Sequence, residues 1–255
     1  MELITSRQNA LVARIRKLGT DRSYRRETGL FLCEGVKLVG EALKWGAAIE
    51  TLVCAEGTIL PEGLADTVRV AAVPAELLKT LSTVETPQGL LAVCQAKTLA
   101  PPPALAGRHY LVLDGVQDPG NVGTIWRTAD AFGADGIFLV NACADPYSPK
   151  TVRGTMGAAF RLPVWEIGLT ALKLLLDAAE IALYATALRD DTVDLREVKW
   201  DKAAVIIGSE GRGASPEALS LCAKTIKIPM RDRCESLNAA VAASVVLWEM
   251  AQGRE

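Results

Sequence analysis

The chain has 255 residues, 50% of them hydrophobic and 23% charged, with a formal net charge of −2. That content supports one large or two modest domains with a substantial core, in the ordinary soluble class. No apolar run reaches the roughly 18 residues of a membrane span, and residues 1–7 lack the apolar core of a signal peptide, so no membrane association and a cytoplasmic location are expected.

The six cysteines, Cys33, Cys54, Cys94, Cys143, Cys222 and Cys234, form no Cys-x-x-Cys pair, so zinc knuckles and thioredoxin-like chemistry are not expected. Most stand in apolar runs and read as small buried hydrophobes. Cys234 has no histidine beside it in sequence and reads as a bystander rather than a reactive thiol. The only histidine, His109, opens a predicted strand after a linker and reads as a linker residue, which argues against Ser-His or Cys-His catalysis.

Residues 1–28 carry Arg7, Arg14, Arg16, Lys17, Arg22, Arg25 and Arg26 against Glu2, Asp21 and Glu27, with Tyr24 among them. Such a stretch suits either a nucleic-acid contact or a solvated helix face. Leu11, Val12, Ile15 and Leu18 recur at helical spacing, with Gly19 placed to close the helix. Strand 29–33, helix 36–45 closed by Gly46, strand 51–54, helix 75–81 and strand 90–94 follow, a small α/β domain over 1–97. Residues 98–108 contain three successive prolines and predict an extended linker. Beyond it, predicted strands at 109–114, 136–140, 162–167, 181–187, 203–207 and 225–229 alternate with helices near 121–132, 148–157, 169–180, 215–222 and 237–252. That alternation implies a mainly parallel sheet covered on both faces, so 109–255 is expected to form a second α/β domain. The last helix reads Ala-Ala-Val-Ala-Ala-Ser-Val-Val-Leu-Trp over 239–248 and predicts burial on every side, within its own domain or against a second subunit.

Three blocks fall where apolar runs meet turns, the usual place for ligands in α/β sheets. The first is Asp118-Pro119-Gly120-Asn121-Val122-Gly123-Thr124-Ile125-Trp126-Arg127-Thr128-Ala129. The second is Ile207-Gly208-Ser209-Glu210-Gly211-Arg212-Gly213, and the third joins Ile228-Pro229-Met230 to Ser236-Leu237-Asn238. Together they describe a polar, glycine-lined, histidine-free site for a small cofactor, with no metal-type cluster. Asn121 could cap the following helix, and Arg127 could be a surface ion pair. Helical spacing separates the two by roughly 240°, so they serve one site only through a bend, or two faces of adjacent subunits. Glu210 has no evident structural duty, while Ser236 or Asn238 can cap the final helix. The full G-x-G-x-x-G fingerprint is missing, which disfavours dinucleotide binding.

In order and spacing, the blocks resemble the three motifs of the SpoU (TrmH-like) family of S-adenosylmethionine-dependent RNA ribose methyltransferases, in the SPOUT superfamily. Residues 1–97 resemble the substrate-binding domain of rRNA members through Ile4-Thr5-Ser6 with Asn9, residues 25–31, Glu34-Gly35 and Gln88-Gly89. The resemblance implies a C-terminal domain tied in a trefoil knot, a rare exception to un-knotted topology. It implies S-adenosylmethionine contacts at Gly208, Ile228 and Leu237, a homodimer, and catalytic roles for Asn121, Arg127, Glu210, Ser236 and Asn238. Arginine is a poor base, since its pKa exceeds about 12. Arg127 is therefore expected to grip a substrate phosphate and stabilise the developing alkoxide, with Glu210, Ser236 and Asn238 orienting the hydroxyl or Arg127. The amino-terminal basic segment then reads as an RNA contact through Arg7, Arg25 and Arg26. Large-subunit rRNA is the expected substrate. A tRNA methyltransferase and a non-catalytic RNA-binding protein that kept the fold are the alternatives.

Overall fold

The computed structural model describes residues 1–187, 189, 192–231, 233 and 236–252. In chain order the elements are β1 (Glu2–Leu3), α1 (Ala10–Thr20), α2 (Arg22–Thr28), β2 (Leu30–Glu34), α3 (Val36–Lys44), β3 (Ile49–Ala55), β4 (Arg69–Val73), α4 (Ala75–Leu81) and β5 (Leu90–Gln95). Then come β6 (His109–Asp114), α5 (Pro119–Ala131), β7 (Gly136–Val140), α6 (Pro149–Thr155), β8 (Val164–Glu166), α7 (Leu169–Ala178), β9 (Ala182–Thr186), β10 (Val193–Asp194), β11 (Ala203–Gly208), α8 (Pro216–Leu221), β12 (Lys224–Lys227) and α9 (Ala239–Gln252). The chain divides into two compact units, one of residues 1–97 with 145–161, the other of residues 98–144 with those from Leu162 onward.

The first unit has a mixed five-stranded sheet in the order β1-β4-β3-β5-β2. Leu11, Val12, Ile15 and Leu18 of α1 bury against it as their spacing predicts. α1 runs past Gly19 because Asp21 serves two helices: its N–H donates to the Lys17 carbonyl, and its carboxylate accepts from the Tyr24 N–H at 3.1 Å. The second helix, α2, has no apolar periodicity, so pattern reading misses it; its one buried residue is Arg25. Arg25 donates to Asp145 at 2.7 Å and to the Leu18 carbonyl at 2.6 Å. Asp145 belongs to the segment 145–161, expected with the C-terminal domain but packed in the first unit, where α6 lies on β2.

The second unit has seven strands in the order β10-β12-β9-β11-β6-β7-β8, every neighbouring pair parallel. Tyr110 and Val112 of β6 join the apolar cluster beneath α7 and α8, while α5 and α9 cover the other face. The expected linker is docked on this unit: Leu105 packs against the cluster, and the Leu99 carbonyl accepts from the Glu166 N–H at 2.8 Å. His109 is a core residue rather than a linker residue, 3% exposed, its Nε2 donating to the Trp200 carbonyl at 2.7 Å. The final helix is not buried all round, since Val241 and Trp248 are 49% and 53% exposed on one face. Among the described residues no helix is long and apolar enough to cross a membrane, and no cluster of His, Cys, Asp or Glu could hold a metal.

Candidate active site

The chain runs β6, β7, β8 outward on one side and then crosses to β9, with β11 inserted between β9 and β6. Reversals of this kind open a crevice at the carboxyl ends of the strands. A cavity of about 490 Å³ lies there, within the roughly 300–1,000 Å³ of small-molecule sites. Its walls come from the ends of β9, β11 and β12 and the start of α9, and include Gly208, Glu210, Ile228, Met230, Ser236 and Leu237. All three expected cofactor contacts, Gly208, Ile228 and Leu237, therefore line one space.

The loop after β11 folds sharply over the strand end. Ser209 and Gly213 exchange main-chain hydrogen bonds of 3.1 and 2.9 Å, with Gly213 in the left-handed region at φ 67°. The loop passes so close that a Cβ on Gly208 would lie 1.9 Å from the Gly213 carbonyl carbon and 2.1 Å from the Ala214 nitrogen. Asp114, buried at the end of β6, anchors the far side of the loop: it accepts from the Ser215 N–H at 2.7 Å and from the Asn141 amide at 2.8 Å. Ser215 in turn caps α8 through the Ala218 N–H.

Asp118 caps α5, accepting from the Asn121 N–H at 2.9 Å, with Pro119 in the first turn. The expected capping duty thus leaves Asn121, whose side-chain amide donates to Glu210. The Asn238 side-chain amide donates to the Asn121 side-chain oxygen Oδ1 at 3.2 Å, while its own Oδ1 caps α9 by accepting from the N–H groups of Ala240 and Val241. Asn121, Glu210 and Asn238, one from each sequence block, form a continuous hydrogen-bonded chain. Asn238 takes the cap, so the Ser236 hydroxyl is spared that duty; it makes no hydrogen bond among the described residues, and Ser236 lines the cavity.

Arg127 does not join this cluster. It is exposed on α5 and makes no hydrogen bond or ion pair among the described residues. In the first unit Arg7 and Arg26 are exposed, but Arg25 is 7% exposed and engaged with Asp145. Arg25, expected as an RNA contact, is thus committed to a structural ion pair, whereas the side chains of Arg7 and Arg26 stand at the surface. Cys234 lies outside the described residues. Sequence reading missed Asp114, whose signal is an acid closing an otherwise apolar strand, and Asp118, a cap residue directly before proline. It also missed the cavity wall at Thr186 and Ala187, where the only clue was the end of a strand.

The donor set fits an adenosyl cofactor. Ile228 and Leu237 supply apolar walls, and the main-chain groups of Met230, Ser236 and Leu237 make no hydrogen bond among the described residues, leaving donors and acceptors for a polar ligand edge.

A parallel α/β unit with a backbone-lined cavity at its strand ends and a separate small α/β unit defines a cofactor-binding enzyme architecture with an added module. Residues 108–248 match the SpoU rRNA Methylase family, and residues 9–92 match the MRM3-like substrate binding domain. The chain belongs to the SpoU rRNA methylase family. It is 34% identical over 251 residues to the 23S rRNA (guanosine(2553)-2'-O)-methyltransferase RlmP of Bacillus subtilis, covering 98% of this chain and 99% of that one. An AdoMet-bound rRNA methyltransferase from Sinorhizobium meliloti superposes with a TM-score of 0.88 at 34% identity, covering 98% of this chain and 97% of that one. The SpoU methyltransferase AviRb from Streptomyces viridochromogenes, in complex with AdoMet, has a TM-score of 0.88 at 28% identity, covering 97% and 98%.

Proposed function

We propose that this chain transfers a methyl group from S-adenosylmethionine to a ribose 2'-hydroxyl of large-subunit rRNA, working as a cytoplasmic homodimer with a trefoil-knotted C-terminal domain. The observation that carries the reading is the hydrogen-bonded chain Glu210–Asn121–Asn238, with Glu210 at a cavity that also holds Gly208, Ile228 and Leu237. The rRNA ribose activity in the names of RlmP and the AdoMet in the two superposed structures support the same chemistry.

S-adenosylmethionine, when bound, supplies a methyl already activated on a sulfonium, so the protein's task is to position the acceptor and remove one proton. Gly208, Ile228 and Leu237 would hold it, with the main chain at Met230 and Ser236 meeting its polar edges. Glu210 is fixed by Asn121 and can accept a hydrogen bond from the acceptor hydroxyl. Ser236, free of capping, can do the same or donate. Arg127, permanently charged, steadies a phosphate and the developing alkoxide rather than acting as the base. Six residues beyond Asn121 on one helix, it turns away from its own chain's cluster and would complete the site of a second copy. The exposed Val241 and Trp248 supply an apolar face for that association.

The test is transfer of labelled methyl from S-adenosylmethionine to rRNA from a strain lacking this protein, followed by mapping of the 2'-O-methyl position. Label at a ribose hydroxyl of large-subunit rRNA is expected. Label on a base, or on tRNA alone, would overturn the assignment.

A further inference from the structure

We propose that Trp45 and the cavity beside it hold one unpaired nucleobase of the RNA substrate, a stacking site in the first unit. This rests on the RNA reading above. Trp45 ends α3, and its indole is 49% exposed, although an aromatic ring of this size ordinarily buries roughly 150–250 Å². The left-handed Gly46, φ 63°, turns the chain so that the Ala47 N–H reaches the Ala42 carbonyl at 2.8 Å, which fixes the ring at the rim.

A cavity of about 240 Å³ adjoins the ring, walled by Phe31, Tyr147 and Phe160. Phe31 lies 4.8 Å from Tyr147 and 6.2 Å from Phe160, centroid to centroid, with interplanar angles of 32° and 29°, so the wall is a tier of tilted rings. That volume is below the roughly 300 Å³ of ordinary small-molecule sites and suits a single planar ring.

The rim is cationic. The Arg161 guanidinium lies over the Trp45 ring, 5.2 Å from its centroid and held there by Glu41 at 2.7 Å, and the Lys44 ammonium lies over the ring at 5.8 Å. Lys97, also at the cavity, bonds the Phe160 carbonyl at 2.7 Å. The side-chain amide of Gln95 is exposed at the same cavity and makes no hydrogen bond among the described residues, so it offers a donor and an acceptor. Aromatic faces, flanking cations and one bidentate amide are the chemistry that recognises an unpaired base with its phosphate. A base held inside a duplex could not reach it.

The test uses the full chain, a single-stranded RNA 12-mer and a base-paired duplex of the same sequence, at matched salt. Trp45→Ala is expected to weaken single-strand binding about 5- to 100-fold, the range that stacking on one aromatic gives. Trp45→Phe should stay within about threefold of the native chain, and duplex binding and S-adenosylmethionine binding should be unchanged. Tryptophan fluorescence should be quenched by the single strand in the native chain, and much less in Trp45→Phe. Equal single-strand affinity for the native chain and Trp45→Ala overturns the proposal while leaving the RNA reading intact. So does an equal loss with duplex, or a Phe variant as weak as Ala. A native chain that binds neither RNA overturns the RNA reading itself.

Discussion

Asn121 and Glu210 lie 89 residues apart in the chain, and the amide of one donates directly to the carboxylate of the other. The bond exists because Asp118 takes over the helix cap and frees the Asn121 side chain. Glu210 stands in an exposed loop that would otherwise let its carboxylate swing. A hydrogen bond to a charged group contributes about 1.5–3 kcal/mol. Asn121→Ala is therefore expected to lower turnover roughly 10- to 100-fold, with the Kd for S-adenosylmethionine changed less than about threefold. Single-turnover kinetics with calorimetry separates the two; a lost cofactor affinity with normal turnover at saturation would assign Asn121 to the cavity instead.

Gly208 tests the cavity wall. A methyl there meets main-chain atoms of Gly213 and Ala214 at about 2 Å, and main chain cannot rotate away as a side chain can. Gly208→Ala should displace the 209–213 loop at a cost above the roughly 1–3 kcal/mol of ordinary overpacking. S-adenosylmethionine binding should become undetectable by calorimetry and the melting temperature should fall. Native affinity in this variant would remove the loop from the binding site.

Arg25 separates structure from surface charge. Its side chain and that of Asp145 are 6% and 10% exposed, so truncating one leaves a nearly buried charge alone. Removing one partner of such a pair costs about 3–5 kcal/mol. Arg25→Ala should shift the denaturant midpoint strongly, whereas Arg7→Ala with Arg26→Ala should leave stability near native and lower RNA affinity with a shallower salt dependence. Equal stability in the two variants would return Arg25 to the surface set.

Burial pushes the Cys143 and Cys222 thiols up to about 11, with the nearby Asp114 carboxylate adding to the shift. Both stay protonated at neutral pH, so both should react slowly with a disulfide reagent at pH 8 and quickly once the chain is denatured. For the linkage sign, these pKa values are raised in the fold above the ordinary 9.0. Their contribution is complete below that value and is lost as pH climbs toward about 11, because the unfolded chain releases those protons first. Denaturation midpoints between pH 8 and 11 should show this decline, reduced in a Cys143→Ala variant.

Much of the fold is legible because alternation and helical spacing report burial directly. β6 and β7 fall where their apolar runs lie, and α1 buries the four residues its period selects. What sequence could not supply depends on tertiary partners. α2 carries no apolar stripe, because one buried arginine and two caps hold it. Segment 145–161 sits between strands of one unit and packs in the other, a choice set by Arg25 and the face of β2 rather than by local pattern. At the site, residue types were legible and duties were not: Asn121 reads equally as cap or ligand until Asp118 is seen to hold the cap.

The position of Arg127 yields the sharpest test of assembly. It stands exposed on α5 without a partner among the described residues, and α9, packed beside that helix, exposes Val241 and Trp248. If two copies meet through these helices, each site takes Glu210 from one chain and Arg127 from the other. Arg127→Ala and Glu210→Ala chains should each be inactive alone. Mixed and re-equilibrated in equal amounts, they should recover roughly a quarter of native turnover, since half the dimers are mixed and each carries one intact site. A site built within one chain gives no recovery, because neither chain then holds both residues. Val241→Glu, which sets a charge in the apolar face, should abolish the recovery and yield a monomer by sedimentation.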